Sequence, residues 1–237
     1  MAHTIIIAED HPLFRTALQS ALNQVLDDVR IIETDTIAAL QQALEDTPNP
    51  DLVLLDFHIP GAHGFSALMF LTGHYPDVPV LVISAREEET IILKAIGYGA
   101  SGFIPKSTPL DAMKTAIQQV LDGNIWAPAN IDLNRDTDRI SSEMEEKIAS
   151  LTPQQFRVLG MISEGMLNKQ IAFDLNVSEA TIKAHVTAIF KKLGVRNRTQ
   201  AVIALQQLEV DYEQTNDSDD MSASSSGDQA PPSMPAP

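Results

Sequence analysis

Residues 52–64 read Leu-Val-Leu-Leu-Asp-Phe-His-Ile-Pro-Gly-Ala-His-Gly. Four consecutive apolar residues run into Asp56, and Pro60-Gly61 then turns the chain. A run that is apolar at every position, rather than at every second one, belongs to a strand covered on both faces, the normal condition in a parallel sheet. An aspartate at the end of such a strand lies where open parallel sheets carry their chemistry, at the carboxyl edge.

Similar units flank this stretch. Thr4 to Ala8, Val29 to Ile32, Pro79 to Ile83 and Gly102 to Ile104 are short apolar runs of the strand kind. Between them lie helical patterns. The first spaces Leu13, Phe14, Ala17, Leu18, Ala21, Leu22, Val25 and Leu26 at helical intervals, with Pro12 suited to its first turn. The others run from Ile37 to Leu44, Phe65 to Thr72, Glu87 to Ile96 and Pro109 to Leu121, the last with Thr108 as its expected cap. Five such units predict an α/β, doubly wound, five-stranded parallel sheet of the flavodoxin-like kind over residues 1–123.

The predicted strand ends bring five groups to one edge. Strand one ends in Glu9-Asp10, strand three in Asp56 and strand four in Ser84, while Lys106 follows strand five. Three carboxylates in one place repel one another and raise each other's pKa values, which a divalent cation relieves. Mg²⁺ prefers oxygen ligands and keeps several waters. A carboxylate beside it can act as a nucleophile toward a phosphoryl group, with an ammonium and a hydroxyl left to hold the phosphoryl oxygens. Each acid alone is more commonly a solvated turn residue; the set of five at the strand ends is what carries the reading.

The rest of the chain differs. Residues 124–147 are polar and are expected to form a linker, in part helical. Residues 148–210 lack strand patterns and are expected to be all-α. Thr152-Pro153-Gln154-Gln155 carries the signals of a capped helix start, with the helix ending near Gly165. A short helix is expected over Asn168 to Leu175, a turn at Asn176-Val177-Ser178, a third helix from Ser178 as cap to Leu193 before Gly194, and a fourth over Thr199 to Leu208. Two helices joined by a tight turn make a helix-turn-helix, with its core at 168–187. The third helix is two-faced. Ile182, Val186, Ile189 and Leu193 form an apolar stripe, whereas Thr181, Lys183, Ala184, Thr187 and Lys191 lie on small or basic faces fit for a DNA major groove. Lys169, Lys192, Arg196 and Arg198 are expected to add phosphate contacts.

Net charge sharpens this division. The chain of 237 residues carries −16, which taken whole opposes nucleic-acid binding. Residues 1–128 hold six Lys and Arg against sixteen Asp and Glu, but residues 151–209 hold seven against four. One basic segment therefore stands inside an acidic chain. Residues 211–237 hold six acids and no base, and their Ser- and Pro-rich composition predicts a disordered acidic tail. There is no cysteine, and so neither a disulfide nor a thiolate chemistry. The absence of a signal-like or long apolar stretch gives the expectation of a cytoplasmic protein without membrane association.

Two stretches resemble known families. The segments AEDHPLFR, LVLLDFHIPGAHG, VLVISA and GFIPKS are similar to the receiver domain of two-component response regulators. This resemblance implies a phosphoacceptor at Asp56 and Mg²⁺ held by Glu9, Asp10, Asp56 and the backbone carbonyl of His58. It also implies a switch made of Ser84, Lys106 and the aromatic position, here Phe103. Phe has no hydroxyl, so a rotation of that ring would be read by packing alone. Residues 151–202 resemble the LuxR-type helix-turn-helix of the NarL/FixJ class, most closely in NKQIA, SEATIKAHV and KKLGVRNRTQAV. Gln154 and Gln155 replace a usual Arg-Glu pair. Together the resemblances imply a transcriptional regulator and not an enzyme. Its implied partners are a sensor histidine kinase, double-stranded DNA and a second copy of the chain once phosphorylated. The alternative is a DNA-binding protein that ignores phosphorylation and uses its receiver as a dimerisation scaffold.

Overall fold

The computed structural model describes residues 2–47, 49–133 and 143–210. Strands β1 (His3–Ala8), β2 (Val29–Thr34), β3 (Leu52–Asp56), β4 (Val80–Ser84) and β5 (Gly102–Pro105) form one wholly parallel sheet in the order β2-β1-β3-β4-β5. Helices α1 (Pro12–Val25), α2 (Ile37–Asp46), α3 (Ser66–His74), α4 (Glu89–Gly97) and α5 (Leu110–Leu121) connect and flank it. β3 and β4 are buried at every residue, which is why their sequences lack alternation.

Alternate strand residues point to opposite sides of the sheet and build two cores. Ile5, Ile7, Leu54, Leu81, Ile83 and Ile104 pack with Leu18 and Leu22 of α1 and Ile117 of α5. Ile6, Val53, Leu55, Val80, Val82 and Phe103 pack on the other side with residues of α2, α3 and α4. The second core does not stop at the sheet domain. It runs on through Ile148, Phe156, Leu159, Ile182 and Ile189 of the helical part.

That part comprises α6 (Glu143–Ala149), α7 (Pro153–Ser163), α8 (Asn168–Asp174), α9 (Glu179–Leu193) and α10 (Arg198–Val210). Its helix ends are set by local chemistry. Thr152 and Gln155 form a reciprocal capping box at the start of α7. The Ser178 hydroxyl accepts from the Thr181 N–H at 3.1 Å to start α9. Gly194 ends α9 in the left-handed region at φ 74°, where a Cβ would be strained.

Some expectations shift. Thr108 does not cap α5: the cap position is Pro109, which has no side-chain acceptor, while the Thr108 N–H closes a turn onto Pro105 at 2.9 Å. α6 lies largely within the segment expected as linker and buries Ile148. That segment also begins as part of the sheet domain, because Trp126 exchanges backbone hydrogen bonds with Ser101 and Phe103 along β5, each 3.1 Å. The acidic tail, 211–237, lies outside the described residues.

The two parts are docked. The rings of Phe70 on α3 and Phe156 on α7 stack 4.5 Å apart with planes 8° from parallel. Gln41 on α2 donates to the Pro153 carbonyl at 3.1 Å, and His63 meets the Ser163 hydroxyl at 2.8 Å. A Cβ on Gly160 of α7 would overlap the Gly61 carbonyl oxygen, so only glycine permits this approach.

Candidate functional site

The strand order reverses between β1 and β3, and a parallel sheet opens a crevice at that switch point. Glu9 and Asp10 follow β1 and Asp56 ends β3, so the topology delivers three carboxylates to one crevice. Glu9 is fully buried and Asp56 is 1% exposed. Lys106, placed by the end of β5, puts its Nζ 2.8 Å from Glu9 Oε2 and 3.0 Å from Asp56 Oδ2. Its ammonium also lies 5.1 Å from the centre of the Phe14 ring, an apolar wall on one side. Ser84 is fully buried at the end of β4, and its hydroxyl accepts the Arg86 N–H at 3.0 Å. The His58 N–H donates to Asp56 Oδ1 at 3.3 Å, which ties the loop after β3 to the carboxylate.

Burial, and then the neighbouring Glu9 charge, raise the Asp56 pKa above the ordinary aspartate value, against the opposing pull of Lys106. Burial also disfavours the Lys106 charge, but its hydrogen bond to Glu9 and the charge of Asp56 outweigh that, and its pKa is raised. The crevice thus holds a firmly cationic lysine and one more negative charge than the lysine neutralises when Glu9 and Asp56 are ionised together. Ligand atoms of Glu9, Asp10, His11 and Asp56 all lie within 4.8 Å of one another. The oxygen-rich set fits a hard divalent cation such as Mg²⁺.

His11 is the residue that reading the sequence missed. It caps α1 just before Pro12, and its Nδ1 lies 2.8 Å from Asp10 Oδ1 and 2.9 Å from Glu9 Oε1. The only available signal was its place directly after the acidic pair. Phe103, the aromatic switch position, is fully buried in the core that continues into the helical part.

A second candidate surface lies on the helical part. Thr181, Lys183, Ala184, Thr187 and Lys191 on α9 are all exposed, as is Lys169 on α8, so the docked sheet domain does not cover them. Ile182, Ile189 and Leu193 face the core, as the helical spacing predicts. Lys183 pairs with Glu179 one turn earlier at 2.8 Å, and the Thr187 hydroxyl donates to the Lys183 carbonyl at 2.9 Å. Lys192 is placed differently from the rest. Its Nζ donates to the Ser150 carbonyl at 2.6 Å and to Gln155 Oε1 at 2.8 Å, fastening α9 to the start of α7. Arg198 likewise donates to the Ile162 carbonyl at 2.7 Å.

Comparison with known proteins agrees with this division. Residues 5–118 match the response regulator receiver domain, and residues 149–205 match the bacterial regulatory proteins of the luxR family. A glycerol metabolism activator of Pseudomonas putida is 38% identical over 208 residues, covering 85% of this chain and 94% of the relative. The nitrate/nitrite response regulator NarL of Escherichia coli K12 is 27% identical, covering 86% and 95%. Among solved structures, the RcsB response regulator of Salmonella typhimurium aligns with a TM-score of 0.52 at 22% identity, covering 86% of this chain and 99% of that one, a likeness of fold. With receiver and effector models both matched and a relative of this identity spanned nearly end to end, the chain belongs to the two-component response regulators of the NarL/FixJ class, DNA-binding transcriptional regulators and not enzymes.

Proposed function

We propose that Asp56 accepts a phosphoryl group from the phosphohistidine of a sensor kinase and that the phosphorylated chain binds double-stranded DNA as a homodimer. The observation that carries this is the placement of Asp56 Oδ2, 3.0 Å from Lys106 Nζ in a buried crevice shared with Glu9 and Asp10. In the transfer, an Asp56 carboxylate oxygen forms a bond to phosphorus as the phosphorus–nitrogen bond of the donor breaks and the imidazole leaves. Glu9, Asp10, Asp56 and the His58 carbonyl would hold Mg²⁺, which supplies positive charge to the phosphoryl oxygens. Lys106 exchanges its contact with Asp56 for one with a phosphoryl oxygen. Ser84, whose oxygen already accepts from Arg86, still has its hydroxyl proton to donate. Phe103, next to β4 in the sheet, would follow Ser84 by repacking.

On DNA, Lys183, Ala184 and Thr187 would meet base edges, with Thr181 beside them. Lys169 and Lys191 would meet phosphates. Lys192 would act indirectly, by fixing the pose of α9. A dimer would read two half-sites related by its symmetry. Solved RcsB dimers on DNA share the fold, with a TM-score of 0.50 at 23% identity. Because the α9 face is already open, phosphorylation would act on assembly rather than on unmasking. No described helix is long and apolar enough to cross a membrane.

The test is intact-protein mass spectrometry after incubation with a small acyl phosphate and Mg²⁺. The wild type is expected to gain one phosphate, and Asp56→Asn or chelation of Mg²⁺ to prevent it. Equal incorporation into Asp56→Asn would overturn the assignment.

A further inference from the structure

We propose that His11 is an additional ligand of the divalent-cation position, through Nδ1, and that it biases this position toward Mn²⁺ over Mg²⁺. The proposal rests on the reading of the Glu9–Asp10–Asp56 crevice as a metal site. It goes beyond that reading in adding a nitrogen donor to an all-oxygen set.

The geometry is specific. His11 occupies the cap position of α1, and its backbone N–H donates to Glu9 Oε1 at 2.9 Å, which holds the residue over the crevice. Although 66% of its side chain is exposed, the ring turns Nδ1 inward, 2.8 Å from Asp10 Oδ1, 2.9 Å from Glu9 Oε1 and 3.9 Å from Asp56 Oδ2. Lys106 approaches two of these oxygens as well, its Nζ 3.0 Å from both Glu9 Oε1 and Asp56 Oδ2. The four candidate ligand atoms span at most 4.8 Å. Opposite ligands of an ion with bonds of about 2.1 Å stand about 4.2 Å apart, so closing on an ion needs only a small inward movement.

The chemistry follows from ligand type. Mg²⁺ strongly prefers oxygen and gives up its water reluctantly, so an imidazole offers it little. Mn²⁺ accepts imidazole nitrogen more readily than Mg²⁺, and nitrogen affinity grows from Mn²⁺ to Cu²⁺ before falling at Zn²⁺. Without an ion, Nδ1 stands at hydrogen-bond distance from the Asp10 and Glu9 oxygens; an ion bound to those oxygens meets the same nitrogen as a donor once its proton is displaced, which strengthens Mn²⁺ and leaves Mg²⁺ nearly unchanged. The rival is a ring that only donates a hydrogen bond to the carboxylates and never touches the ion.

The experiment uses the full chain with no affinity tag. Mn²⁺ binding is followed by electron paramagnetic resonance, Mg²⁺ by competition, and nitrogen coordination by electron spin-echo modulation from ¹⁴N. The expected result is a ¹⁴N signal in the wild type that disappears in His11→Ala and His11→Asn. Those two His11 variants should lose Mn²⁺ affinity on the order of tenfold. Their Mg²⁺ affinity should hold, which also shows that they fold. Mn²⁺ that binds the wild type without ¹⁴N coupling, or an equal loss of both ions in His11→Ala, overturns the His11 assignment alone. Failure of either ion to bind in a manner abolished by Asp10→Asn overturns it together with the metal site itself.

Discussion

Asp56 is held in an environment that opposes its own charge. Burial, and after it the Glu9 carboxylate, raise its pKa above the value it has in an unfolded chain. A carboxyl with a raised folded pKa contributes stability below its unfolded pKa and loses that contribution as pH rises through the folded one. Without a divalent ion, wild-type protein should therefore weaken relative to Asp56→Asn as pH climbs out of the carboxylate range. At neutral pH the variant should melt higher, by on the order of 3 °C for a chain of this size. Added Mg²⁺ should raise the wild-type midpoint and close the gap. Thermal melts at several pH values with and without Mg²⁺ check this; a variant that melts lower at every pH would show that the Lys106 pairing dominates instead.

Among the elements, α9 shows how local signals and tertiary contacts divide the work. Ser178 and Gly194 define its two ends in the sequence. The side chain of Ser178 satisfies the Thr181 N–H, so Ser178→Ala should destabilise the helical part by about 1 kcal/mol, measurable by urea denaturation, and Ser178→Asp should restore it. Lys192 reads in the sequence as one more cation on a basic helix. Only packing shows that it bonds Ser150 and Gln155, forty-two and thirty-seven residues back. Lys192→Met should consequently lower stability by about 1 kcal/mol while leaving the salt dependence of DNA binding unchanged, whereas Lys191→Met should flatten that dependence by about one phosphate contact. Equal salt slopes for the two variants would contradict the division.

For the molecule as a whole, the consequence of docking is the free α9 face. Gly73 on α3 and Ala149 on α6 lie close enough that a Cβ on Gly73 would stand 3.1 Å from that of Ala149. Cβ atoms joined by a disulfide are about 3.8 Å apart, so a small outward shift would admit a bridge between cysteines at 73 and 149. The chain has no cysteine of its own to interfere. Oxidised Gly73→Cys/Ala149→Cys protein should bind a duplex selected by the wild type from a random pool within about threefold of its reduced form. Binding lost on oxidation and regained with reductant would mean that the domains must part before DNA is bound. Gly160→Val makes the complementary change, since its side chain cannot coexist with the Gly61 carbonyl; it should enlarge the particle in X-ray scattering.

Residue order determined a good deal here. The unalternating apolar runs of β3 and β4, the acids and lysine at the strand ends, the capping signals around α7 and α9, and the single basic segment are all local in the chain, and they specify a sheet domain with a carboxylate crevice followed by a helix-turn-helix. The inward turn of His11, the internal bonding of Lys192 and the core shared between the domains were decided by the tertiary structure. Each depends on which surfaces meet and on the direction of a side chain relative to residues remote in sequence. Periodicity reveals that a helix has an apolar face, but not which other face covers it; that choice is made by shape and by close approaches such as Gly61 against Gly160, which exist only once the chain has folded.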